Sequence, residues 1–315
     1  MMTALALGLL LAPLQYSFEP GTKLDYRSTI VFEGFIPILG GNEGTVLVEM
    51  GVSVEGLART KPENARSTNE ITSFRVTFND YPLPFEASSV QSYFPRTTIS
   101  VAPSGKIVET DAPNVQLPVR LPGLHVRHFP DVTYVPIEFP KDGPKVGEAW
   151  GFTRKFGDSD VVYECKLVEQ NGDVARVAVK LSQEYEVFEN ASLEVVTEEK
   201  NAERRVKTVL TGEGTVVFDT KRGIVTRAEM VNVAVSDATK LVDGTKSRRD
   251  LKTTFTLVLN EKPHQTAVDG GLIGAVKKGA RAVVTTAKEW WAAARLAVKF
   301  ALGQIPTLIP GKRKG

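Results

Sequence analysis

The chain has 315 residues, 39 of them basic and 37 acidic, for a formal net charge of +2. That balance excludes nucleic-acid binding through a generally basic surface. The 42% hydrophobic and 24% charged content is that of a folded protein. The one cysteine, Cys165, excludes an intrachain disulfide, and its place in the alternating run VVYECKL reads as a small side chain within a sheet.

Residues 1–15 form a signal-peptide-like segment. The apolar run at 4–11 is too short to span a bilayer as a helix and suits the hydrophobic region of an export signal. No Lys or Arg precedes it. The expected location is therefore exported: periplasmic, envelope-associated or extracellular.

From residue 16 to about 260 the chain is written in period two. ARVAVKLSQEYEVF puts Ala175, Val177, Val179 and Leu181 on one face, with Arg176, Lys180 and Glu184 on the other. LKTTFTLVLN separates Leu251, Phe255, Leu257 and Leu259 from Lys252, Thr254 and Thr256. Such alternation marks antiparallel sheet with one wet face. Asn171-Gly172 and the DTKRGIV run read as hairpin turns. No helical stretch alternates with the strands, which excludes a Rossmann-type cofactor fold.

SFEPGTKLDYRSTIVF and FPKDGPKVGEAWGFTRKF open two stretches of similar pattern, and each is followed by a strand–Gly turn–strand run. The spacing suggests a duplicated sheet unit, with a first β-rich half at 16–135 and a second at 136–262. Between them, the proline-rich stretch from Asp111 to Lys145 cannot supply central-strand donors. Its apolar residues (Leu117, Leu121, Leu124, Phe129, Tyr134) imply a segment draped over a sheet, not a free linker.

Residues that could carry chemistry do not assemble into a set. His125 and His128 lack a third ligand nearby. Glu109 with Asp111, Asp158 with Asp160, and Glu198 with Glu199 sit by turns or among basic residues and read as solvated surface. Asn190 opens a glycosylation sequon. DGGLIGAVKK lacks the Gly-Lys-Ser/Thr ending of a phosphate loop. No catalytic, metal or cofactor residue is assigned, and no cofactor is expected.

Residues 263–315 form a C-terminal unit in which 275–302 carry helical spacing. Lys277, Arg281 and Lys288 share a basic sector opposite an apolar one that holds Trp290 and Trp291. The spacing predicts one long amphipathic helix, ended by Gly303 and Pro306. Three roles are open to it: packing on the sheet, lying on a membrane surface, or docking on a protein partner. Its many alanines favour packing.

An export-like N-terminal segment, strand alternation over residues 16–260 and the amphipathic stretch at 275–302 together resemble the half-barrel folds of bacterial envelope lipoprotein carriers and related lipid-binding lipoproteins. The chain differs from them in having no lipid-attachment cysteine and in its far C-terminal helix. The resemblance implies a hydrophobic ligand held between sheet and helix, and no catalysis. The sequence is thus read as a mainly β protein: curved antiparallel sheet, a duplicated unit and a C-terminal helix. Its expected function is non-enzymatic binding of a lipid, another apolar ligand or a protein partner. The alternatives are a structural or membrane-peripheral scaffold and, third, a hydrolase with an unrecognised site.

Overall fold

The computed structural model describes residues 14–37, 41–83, 91, 94–113, 122–123, 126–156 and 159–260. Thirteen strands form one antiparallel sheet. In chain order they are β1 (Lys23–Ile36), β2 (Asn42–Gly56), β3 (Ala65–Phe78), β4 (Tyr81–Leu83), β5 (Thr97–Val101), β6 (Ile107–Thr110) and β7 (Ala149–Phe156). They continue as β8 (Ser159–Asn171), β9 (Val174–Glu189), β10 (Val195–Val196), β11 (Arg204–Asp219), β12 (Ile224–Lys240) and β13 (Lys246–Leu259).

The strand order is β6-β5-β3-β2-β1-β13-β12-β11-β9-β8-β7, with β4 on β3 and β10 on β9. Apart from the short side strands β4 and β10, which leave β3 beside β5 and β9 beside β11, neighbours in sequence are neighbours in space, as hairpins require, except at two places. The first and last strands pair with each other, Tyr26 opposite Leu259 and Gly34 opposite Leu251. The second exception is the connection from β6 to β7, which joins the two outer edges of the sheet.

Period two sets the faces, because successive side chains of a strand point to opposite sides. Ala175, Val177, Val179 and Leu181 are all buried, as are Leu251, Leu257 and Leu259, while Arg176, Lys180 and Lys252 are exposed. The expected turns form at Asn171-Gly172 and at Asp219–Gly223. In the second, Asp219 Oδ1 accepts from the amides of Lys221 and Arg222.

The inner face is covered by two stretches outside the sheet. Leu14, Tyr16 and Phe18 precede β1, and Phe129, Tyr134, Val135, Ile137 and Phe139 lie between β6 and β7; all are buried. The residue 135–139 stretch touches both sheet edges. The Phe139 amide donates to Ser104 O in the β5–β6 turn at 2.7 Å. On the other side, Trp150 Nε1 donates to Glu138 O at 2.7 Å, and Arg154 donates to Val135 O at 2.9 Å. One short segment can reach both edges only if the sheet curls into a trough. The Tyr16, Phe139 and Phe218 rings, with centroids 5.0–5.6 Å apart, fill its lower end. Gly105 makes this closure possible: it has φ +97°, and a Cβ there would lie 2.5 Å from Ile137 O.

The fold class needs one correction. The expected helix, with Lys277, Arg281, Lys288, Trp290 and Trp291, lies outside the described residues. Among the described residues no helix exceeds the four residues of Asp131–Tyr134. In the lower half of the inner face, aromatic side chains from the N-terminal and proline-rich stretches supply the apolar cover expected of a helix. The ligand-covering, membrane and partner roles expected of a C-terminal helix are carried by no helix among the described residues. None of the described helices is long and apolar enough to cross a membrane. Residues 1–13 also lie outside the description, whereas Leu14, placed by sequence in the export segment, is 4% exposed in the core. The strands expected in the two halves fall on opposite sides of the β1–β13 seam.

Candidate functional site on the inner face of the sheet

The inner face divides into a filled lower half and a less covered upper half. In the upper half, one row in register runs Val76, Val48, Ile30, Phe255, Met230 across β3, β2, β1, β13 and β12. The next row up runs Phe78, Val46, Phe32, Thr253, Asn232. Ile30, Phe32, Val48, Phe74 and Phe255 pack against the core yet are only partly buried. Large apolar side chains that share one face and stop short of full burial are the lining expected of a site for an apolar ligand.

Above these rows the face turns polar. Arg249 Nη1 donates to Glu189 Oε2 at 2.7 Å, with side chains 9% and 8% exposed. The Arg249 guanidinium also lies 4.6 Å from the centre of the Phe35 ring. A hollow of about 40 Å³ opens beside them, lined by Thr208, Ser236, Tyr185, Phe35 and Pro122 among others. That volume holds a few waters, not a large ligand. With the Arg249 charge already matched by Glu189, the hollow offers no free cation.

Below the apolar rows, the helical turn Asp131–Tyr134 seats a carboxyl group on the sheet. Asp131 is 0% exposed. Its Oδ1 accepts from Asn69 Nδ2 at 2.5 Å and from the Tyr134 hydroxyl at 2.6 Å. Asn69, on β3, also donates to Thr97 Oγ1 at 2.7 Å. Burial pushes the Asp131 carboxyl up to about 7, against the smaller lowering by its Tyr134 and Asn69 hydrogen bonds. Burial likewise raises the Tyr134 phenol well above its ordinary value.

The opposite, outer face carries a shallow hollow of about 440 Å³ over β8, β9, β11 and β12. Its lining mixes charged (Glu164, Lys180, Glu213) and apolar (Val162, Val231, Val233) side chains. That is the ordinary pattern of a wet sheet face, with opposite charges on neighbouring strands.

The described residues singled out by sequence do not meet here. Trp290, Trp291, Lys277, Arg281 and Lys288 are outside the described residues, as are His125 and Asp158. Glu109 pairs with Lys61 on the surface at 2.7 Å. Asn190 holds its own turn, its Oδ1 accepting from the Ser192 and Glu194 amides. Cys165 is 2% exposed in β8, and burial pushes its thiol up to about 12, so no thiolate nucleophile forms at neutral pH. Among the described residues no three His, Cys, Asp or Glu side chains cluster to hold a metal.

Sequence reading missed Asp131, Asn69, Arg249 and Glu189. For Asp131 a signal existed: it is the one charged residue in FPDVTYVPI.

No protein-family model and no curated protein matches the chain. A solved structure of lipovitellin, described by its lipid–protein interactions, is similar at a TM-score of 0.47 and 12% identity, over 80% of this chain. The likeness spans 27% of the lipovitellin chain.

Proposed function

We propose that this is an exported, non-catalytic protein that binds an apolar ligand on the upper inner face of its sheet. The observation that carries the reading is the partly buried set Ile30, Phe32, Val48, Phe74 and Phe255, which occupies three successive rows of adjacent strands. A ligand seated there would remove the remaining apolar surface from water, at roughly 25 cal/mol per Å². A non-catalytic role is supported by what surrounds that face: Asp131 is sealed from solvent, Cys165 is held as the thiol, and Arg249 is neutralised by Glu189.

Native mass spectrometry of the protein from its own host tests this directly, together with titration of a fluorescent fatty-acyl probe. A co-purified apolar molecule and saturable probe binding are expected. Phe32→Asp and Phe255→Asp should each abolish binding, whereas Val233→Asp on the outer face should leave it intact. Probe binding indifferent to both inner-face variants, or no binding at all, would sink the reading.

A further inference from the structure

The Asp131–Asn69 pair has a feature that its hydrogen bonds to other groups do not satisfy. Asp131 Oδ2 and Asn69 Oδ1 are both buried, and neither has a hydrogen-bond partner. Their sister atoms, Asp131 Oδ1 and Asn69 Nδ2, are in contact at 2.5 Å. Amide and carboxyl thus face each other with one donor–acceptor bond made and two acceptors left over. Two buried acceptors without a donor are costly, since buried polar groups are nearly always paired. A single proton on Oδ2 turns that oxygen into a donor and answers both vacancies at once.

We infer that Asp131 is kept as the neutral acid, pairing twice with Asn69, and that this pair is a proton-dependent latch holding residues 129–139 across the sheet. What it holds is structurally central. Tyr134, on the same turn, stacks on Tyr26 of β1 at 6.1 Å and meets Phe18 edge-on at 6.0 Å. Five residues further on, the Phe139 amide bonds the β5–β6 turn of the same sheet edge, and Trp150 and Arg154 on the opposite edge donate to Glu138 O and Val135 O.

The surroundings favour the neutral form. Around Asp131, β3 contributes Asn69 and Ser67, and β5 contributes Thr97; none is charged. Tyr134 is a phenol kept protonated by burial. Asp111, beyond β6, repels a second negative charge. Arg96, the nearby cation, donates to Thr68 Oγ1 and pairs with Glu55, so it does not reach the carboxyl.

The sign follows from proton linkage. The folded state holds the proton up to about pH 7, whereas the released turn, in water, gives it up near the ordinary aspartate value. The latch is at full strength below about pH 4 and is lost as pH rises through about 7.

Hydrogen exchange on the full chain tests this. The reporters are the amides of Thr133, Val135 and Phe139, which bond Pro130 O, Asp131 O and Ser104 O. After correction for intrinsic exchange, their local opening should rise about tenfold per pH unit between pH 5 and 7. Amides of the β11–β12 hairpin should not respond. Asp131→Asn keeps both pairing atoms without a titrating proton, so its opening should be flat with pH. Infrared spectroscopy gives a second readout that needs no variant: a protonated-carboxyl band should persist at pH 6 in the folded protein and vanish on unfolding. The latch is overturned by pH-independent opening in the native chain, by an unchanged pH response in Asp131→Asn, or by the absence of that band. None of these outcomes depends on ligand binding.

Discussion

Arg249 and Glu189 are the most enclosed ion pair among the described residues, and their worth is conditional. Breaking such a pair by removing one member leaves a buried charge without a partner, at a typical cost of about 3–5 kcal/mol. Replacing both by apolar residues of similar volume is often neutral. Arg249→Met should therefore lower stability by about 3–5 kcal/mol in urea unfolding, and Arg249→Met with Glu189→Leu should recover most of that loss. Equal losses in the single and double variants would mean that the Phe35 contact, not the charge pair, carries the energy. Cys165 makes a simpler prediction. With its thiol raised to about 12 by burial, it should resist alkylation in the folded protein at pH 8 and react once denaturant unfolds the sheet. The placing of Cys165 in a sheet was legible in VVYECKL, whereas the ion pair was not. Arg249 and Glu189 are far apart along the chain and meet only because β9, β11, β12 and β13 pair in that order.

Strands and their turns were legible, because period two and Gly or Asn turns are local properties. Sheet order was not, since nothing local in KLDYRSTIVF says that its partner is the last strand. The described part of the proline-rich stretch is packed as read, with Phe129 and Tyr134 buried, yet its reach to both edges depends on curvature that appears only when all the strands are assembled. Position in the sheet should also decide tolerance to substitution. Val108 lies on edge strand β6, 42% exposed, where Ile107 pairs with Val101 and Glu109 with Ser100, so it sits at a bulge. Proline is accepted at edges and bulges, and Val108→Pro should stay within about 0.5 kcal/mol of the parent. Gly105→Ala, in the turn just before β6, should cost about 1–3 kcal/mol, because it combines positive φ with a clash against backbone that cannot move aside. Thermal unfolding of the two variants, side by side, checks this contrast within one hairpin.

At the scale of the whole molecule, the sheet is two meanders of hairpins closed in two ways: by the β1–β13 seam and by residues 135–139 reaching both edges. Each meander is built from short-range pairings, whereas the seam joins the two ends of the fold and must overcome the largest loop-closure entropy. The seam should therefore form late. Tyr26 reports on it, since its hydroxyl donates to Val225 O on β12 at 2.9 Å, a buried bond between groups 199 residues apart. Tyr26→Phe removes one donor and leaves that carbonyl unsatisfied, a loss of about 1 kcal/mol. If the seam forms after the transition state, the loss falls on unfolding, which should speed up about fivefold while refolding is unchanged. Val177, 0% exposed in the β8–β9 hairpin, belongs to a local meander. Its replacement by Ala should instead slow refolding. Stopped-flow kinetics on both variants, followed in urea, gives the partition. Slower refolding in Tyr26→Phe with unfolding unchanged would place the seam in the nucleus and reverse this order of assembly.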